Sequence, residues 1–91
     1  MGSIVNYLGG INMLQKIIKT AEKLCEKFTT QKPEILVRDN DSTKLTIIFQ
    51  GDIPTEEQRK QIDVALKDSF KDVLSNSMPE VGFVSWIVTT V

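Results

Sequence analysis

Histidine is absent from this sequence, and cysteine occurs once, at Cys25. Without histidine the chain cannot supply a Ser-His-Asp or Cys-His nucleophile system, nor a zinc site that uses histidine. A single cysteine cannot form a disulfide within the chain, and it is typical of a reducing compartment. We therefore expect a cytoplasmic protein that binds no metal and no cofactor.

Carboxylates remain as candidates for acid–base chemistry. Asp39 and Asp41 lie in a cluster of turn-forming residues, where acidic side chains usually have a structural role. The run from Asp39 also begins like a calcium-binding loop, but Lys44 and Gln50 occupy the positions where such a loop needs glycine and glutamate. The sequence therefore predicts a protein that is not an enzyme and has no catalytic residues.

Acidic and basic residues are nearly equal in number, and the sequence contains no long apolar run. Eleven basic residues face twelve acidic ones, so a net charge of −1 gives no overall attraction to nucleic acid or anionic lipid. No apolar run approaches the roughly 20 residues that cross a bilayer. The 91 residues, 41% apolar and 25% charged, predict one globular domain over 1–91, with the structure of 1–11 left open.

The first regular element is a predicted helix from about Asn12 to Phe28. Asn12 is a good N-cap, and Gln15 stands three residues later, as in a capping box. Apolar residues at three- and four-residue intervals form one broad stripe, which is typical of a helix that faces a core. The stripe consists of Leu14, Ile17, Ile18, Ala21, Leu24, Cys25 and Phe28.

A β-hairpin is predicted next. Glu34–Arg38 and Thr43–Gln50 are apolar runs, and the intervening Asp39–Ser42 is rich in turn formers. The second strand alternates between apolar and polar residues, except that Ile48 interrupts the polar side. The predicted core-facing residues are Leu45, Ile47 and Phe49.

A second helix and a final strand complete the chain. Thr55 and Gln58 form a capping box, and apolar spacing predicts a helix that continues to about Leu74. The segment 75–79 is rich in serine and ends in proline, so it is predicted to terminate this helix. Val81–Val91 is predicted to be a long strand that is apolar on both faces.

The order helix, strand, strand, helix, strand predicts an α+β two-layer sandwich. Both helices are expected on one face of a mostly antiparallel sheet. If Ile4–Leu8 is a strand the fold is a ferredoxin-like βαββαβ sheet, and if it is a helical turn the fold is αββαβ. This order resembles small modules found in ring-building, adaptor and RNA-binding proteins, a likeness that implies a fold and not a function.

The final strand suggests a binding surface. Two helices can cover one face only, so we expect Val84, Trp86 and Val88, together with Ile48, to lie on the uncovered face. Exposed apolar patches often mark interfaces, and tryptophan is a frequent anchor in them. The sequence thus predicts a non-enzymatic module that binds a protein partner or a second copy through its sheet and C-terminal strand. The alternative is that the first dozen residues cover this face.

A row of lysines provides a second hypothesis. The row shares one side of the first helix and could contact phosphates of a nucleic acid. Glu22 and Glu26 lie beside it and reduce its potential, so a solvated helix face is favoured. The row consists of Lys16, Lys19, Lys23 and Lys27.

Overall fold

The computed structural model describes residues 15–38 and 41–90. No helix in these two ranges is long and apolar enough to cross a membrane. The segment Ile4–Leu8, left open as strand or helical turn, lies outside them. The described elements are α1 (residues 15–26), β1 (Glu34–Arg38), β2 (Asp41–Gln50), α2 (Glu56–Ser69), β3 (Asp72–Met78) and β4 (Phe83–Thr89).

The four strands form one antiparallel sheet in the order β1-β2-β4-β3. β1 and β2 form one hairpin, β3 and β4 form another, and the second strands of the two hairpins pair at the centre. Each hairpin follows a helix, so the arrangement helix–strand–strand occurs twice. The predicted class, an α+β two-layer sandwich, is confirmed.

The core lies between the helices and one face of the sheet. Leu45, Ile47 and Phe49 of β2 are buried there, as the alternation in the sequence predicts. Both helices contribute to the same cluster, which confirms that they cover a single face. The helical residues in this cluster are Ala21, Leu24 and Cys25 of α1 and Ile62 and Leu66 of α2.

α2 begins as predicted and ends earlier. The Thr55 hydroxyl accepts from the backbone N–H of Gln58 at 3.2 Å, and the Gln58 amide oxygen accepts from the backbone N–H of Thr55 at 2.9 Å. The helix ends at Ser69, and the backbone of Phe70 is already extended. The prediction of a helix to about Leu74 is therefore wrong, and 72–78 is the edge strand β3.

A glycine contact fixes the start of β4. The backbone N–H of Gly51 donates to the Gly82 carbonyl at 2.8 Å. Gly82 has φ +67°, and a Cβ there would lie 2.9 Å from the Gly51 oxygen. A 3₁₀ turn at Pro79–Val81 leads into this position, so the last strand starts at Phe83 rather than at Val81.

Candidate interaction surface

Three of the four predicted partner-binding residues belong to the core. Val84, Trp86 and Val88 are 1%, 3% and 0% exposed. The register between β2 and β4 pairs them with Phe49, Ile47 and Leu45, so all six side chains share the helix-covered face. The expectation that these three residues lie on the uncovered face is wrong, because β4 turns their side chains, and not those that alternate with them, towards the helices.

Trp86 is held from two sides. Its ring meets the ring of Phe49 edge-on, with centroids 6.1 Å apart and an interplanar angle of 88°. Its indole N–H donates to Oδ1 of Asp63 on α2 at 3.2 Å. The other oxygen of that carboxylate lies 2.9 Å from Nζ of Lys67. Trp86 therefore joins the sheet to α2.

The other side of the sheet, which we call the open face, carries a set of apolar side chains. Ile48 is one of them and is the one predicted partner-binding residue that lies there. Leu36, Leu74 and Met78 are 46%, 69% and 39% exposed, and the remainder are partly buried. Apart from Ile48, the apolar residues of the open face are Leu36 on β1, Leu74 and Met78 on β3, and Phe83 and Ile87 on β4.

One row of this face crosses all four strands. Leu36 is paired with Thr46, Thr46 with Ile87, and Ile87 with Leu74. We call this line the apolar row, since three of its four members are apolar and the fourth is Thr46. It ends on the two edge strands in leucines that are both exposed.

Charged side chains of the open face lie towards its ends. Glu34 is at the start of β1, while Lys44 and Asp72 belong to a row at the opposite end of the sheet. Lys44 and Asp72 line a hollow of about 300 Å³ together with Leu74 and Ile87. The middle of the face thus contains uncharged side chains, with charges of both signs around it.

A groove runs between α2 and β3 on the helix-covered side. It has a volume of about 430 Å³, and Arg59, Asp63 and Trp86 contribute to its wall. Ser75 and Ser77 of β3 line this groove and are exposed. The outermost strand is therefore only lightly covered by the helix.

The lysine row is exposed as predicted. Lys16, Lys19 and Lys23 lie on α1, Lys27 directly follows it, and all four side chains face solvent. Glu22 and Glu26 are equally exposed beside them and lower the positive potential of this surface. A role in binding nucleic acid stays a prediction.

Reactive groups are sparse in the described ranges. No group of three or more histidine, cysteine, aspartate or glutamate side chains there could hold a metal ion. Cys25 is buried, and its burial raises the pKa of the thiol from 9.0 to about 12, with a smaller contribution from the charge of Glu26. At neutral pH the thiol is protonated and a poor nucleophile.

Comparison with known proteins found no matching family model, no similar curated protein and no similar solved structure. Function must therefore be argued from the surfaces of the chain itself. The residues of the open face other than Ile48 were missed at the sequence level. The sequence of β4 contained a signal for the open face. Ser85 and Thr89 lie on the same side of the strand as Phe83 and Ile87, whereas the side with Val84, Trp86 and Val88 has no polar residue within that run.

Proposed function

We propose that this protein is a non-enzymatic self-association module in which the open face of one copy packs against the open face of a second copy. The observation that carries the proposal is the exposure of Leu36, Leu74 and Met78 on a face opposite both described helices. Burial of apolar surface stabilises a contact by about 25 cal/mol per Å². Covering this face therefore lowers the free energy of the chain in water.

The dimensions of the sheet fit a small interface. Four strands of about seven residues make a face about 19 Å wide and about 24 Å long. Two such faces would together bury on the order of 1,000 Å², which is the lower end for a specific protein–protein contact. We expect a contact of this size to form at micromolar concentrations.

The charges permit a second copy as the occupant. Among the open-face side chains that the structure describes, Glu34, Lys44 and Asp72 sum to a charge of −1, so two copies repel each other only weakly. Face-to-face packing of sheets about 10 Å apart is a common arrangement, and here it leaves the helices on the outside. The proposal therefore needs no partner other than this chain.

Substitution of Ile48 by lysine tests the proposal. Ile48→Lys places a charge in the middle of the open face, and we expect the solution mass to fall by half in light scattering at about 50–100 μM, concentrations well above a micromolar Kd. Leu36→Lys, at a more exposed position, should do the same if Ile48→Lys fails to fold. The matched control is Val64→Lys, which alters an exposed valine on α2 and should leave the mass unchanged.

A strictly monomeric wild-type chain at the highest accessible concentration contradicts the proposal. In that case the open face would have to be covered by residues 1–14 or by another protein. A solution mass that neither lysine substitution lowers contradicts it equally, since the open face is then not the contact.

The proposal includes a cytoplasmic location, which the single buried thiol of Cys25 supports. The alternative function is nucleic-acid binding by Lys16, Lys19, Lys23 and Lys27. The acidic side chains beside these lysines lower the positive potential, so no specific observation supports this alternative.

A further inference from the structure

The two edges of the sheet differ in their protection against pairing with another strand. β1 is five residues long and begins at Glu34, and its register with β2 shifts between Val37 and Arg38. Short length, charge and an irregular register are features that block the addition of another strand. The β1 edge is therefore protected.

The β3 edge is longer and more regular, and within it only its first residue, Asp72, is charged. It is seven residues long, and its register with β4 runs without a shift from Asp72 opposite Thr89 to Met78 opposite Phe83. After Asp72 the strand contains no charged residue and no proline. An exposed, regular and uncharged edge presents a row of backbone N–H and C=O groups that a further strand can use.

We propose that β3 pairs antiparallel with β3 of a second copy, in the register that sets Leu74 opposite Leu74 of that copy. The two sheets then form one continuous eight-stranded sheet. The hydrogen bonds of this contact form along the β3 edge, whereas the face-to-face contact proposed above buries side chains, so the two contacts can form in the same assembly.

The apolar row selects the register. In a two-fold symmetric pairing of antiparallel strands, directly opposite residues lie on the same face of the sheet. The symmetry axis therefore passes between two copies of one residue, which is opposite itself. Centred on Leu74, the pairing joins the apolar row of one copy to that of the other. It also covers the most exposed of the large apolar side chains in the described ranges, at 69%.

The charges agree with the same register. Asp72 then lies opposite Asn76 of the second copy, and Val73 lies opposite Ser75. Like charges directly opposite each other destabilise a strand pair, and this register has none within β3. The small side chains of Ser75 and Ser77 also leave room for the incoming strand beside the groove of α2.

A cysteine cross-link tests the register. Directly opposite residues of antiparallel strands have Cα atoms about 4.5–5.5 Å apart, within the range that a disulfide spans. Leu74→Cys should give a covalent dimer on a non-reducing gel after mild oxidation. The matched control is Ser75→Cys, which should not cross-link, because residue 75 lies opposite residue 73. The native chain should also stay uncross-linked, since Cys25 is buried.

A charge exchange supplies an independent readout. Asn76→Asp sets a carboxylate opposite Asp72 at two symmetric positions, so we expect the edge contact to dissociate at least about fivefold more readily, measured in the Ile48→Lys background that lacks the open-face contact. Adding Asp72→Lys to that variant should restore association, since each pair is then oppositely charged. Asp72 and Asn76 are four positions apart on one strand and do not meet within a single copy.

The outcomes separate the two contacts. Ile48→Lys should leave the Leu74→Cys cross-link intact, because Ile48 lies on an inner strand. The edge proposal is overturned if Ser75→Cys cross-links as well as Leu74→Cys, if neither does, or if the double charge variant fails to restore association. In the Ile48→Lys background these results do not depend on the open-face contact.

Discussion

At the scale of single residues, the buried indole of Trp86 has the most specific environment. Its N–H has an acceptor in Asp63, and an unpaired buried donor costs about 1–3 kcal/mol. The salt bridge between Asp63 and Lys67 is more exposed on the lysine side, so we expect it to add little to stability. The hydrogen bond, not the ion pair, is the more important contact of Asp63.

Asp63→Ala should therefore lower the free energy of unfolding by about 1–3 kcal/mol in urea titrations. Asp63→Asn keeps an acceptor and should lose less. Lys67→Ala is the control, with an expected loss below about 0.5–1 kcal/mol. In a double-mutant cycle, Trp86→Phe should make Asp63→Ala nearly neutral, because the donor is already gone. Equal losses for Asp63→Ala and Lys67→Ala would show that the ion pair matters more.

Cys25 gives a pH dependence with a defined sign. The pKa of its thiol is about 12 in the folded chain and 9.0 without burial, so between these values the unfolded chain loses a proton that the folded chain keeps. The stabilisation is fully present below about pH 9 and is lost as pH rises towards 12, by at most about 1.4 kcal/mol per pH unit.

We expect the stability of the wild type to fall between pH 9 and pH 11 more steeply than that of Cys25→Val, when both are measured by urea unfolding. The comparison cancels the titration of lysines, which both chains share. At pH 8 a thiol reagent should label Cys25 only after unfolding. Identical slopes for the two chains, or rapid labelling of the folded wild type, would contradict this account.

The face to which alternate side chains point is clear from the sequence for β2 and only weakly marked for β4. In β2 polar residues mark one side, so Leu45, Ile47 and Phe49 were assigned to the core correctly. In the last strand both sides carry apolar residues, and Ser85 and Thr89 mark the open side only weakly. The register with β2 shows that Trp86 joins Ile47 beneath the helices. The predicted site was therefore placed on the wrong face, with Ile48 as the exception.

At the scale of elements, β3 was the strand that the sequence did not reveal. The apolar spacing of α2 continues through Phe70 and Val73, so periodicity alone extends the helix. Ser75, Asn76 and Ser77 have low strand propensity and resemble a turn. β3 buries little of its own surface, and it is a strand because β4 offers it a complete pairing edge.

The turn before β4 supplies a test at this scale. Gly82→Ala introduces a Cβ at a positive φ and 2.9 Å from the Gly51 oxygen, so it combines strain with a backbone clash. Gly51→Ala shares the positive φ, +85°, but meets no atom within 4 Å. We expect a loss of about 1–2 kcal/mol for Gly51→Ala and a larger one for Gly82→Ala, measured by thermal unfolding. Equal losses would show that the close approach contributes nothing.

At the scale of the whole molecule, composition and element order were sufficient for the fold class. Two amphipathic helices and a strand with one wet side require two layers, and the structure has them. The position of the uncovered apolar surface required the strand order, which depends on contacts between residues far apart in sequence. Local patterns do not contain the strand order. The sequence therefore indicated that an uncovered apolar surface exists, and the strand register showed which residues form it.

The central pairing of β2 with β4 has a consequence for folding kinetics. Each hairpin is local, and hairpins form within microseconds, whereas the partners in the central pair are roughly 30 to 45 positions apart along the chain. Closing that loop brings together two preformed halves, each a helix with its hairpin, so it is the slow step. During synthesis the first half is complete while one side of β2 still lacks its partner, and it keeps that unpaired side until β4 has left the ribosome.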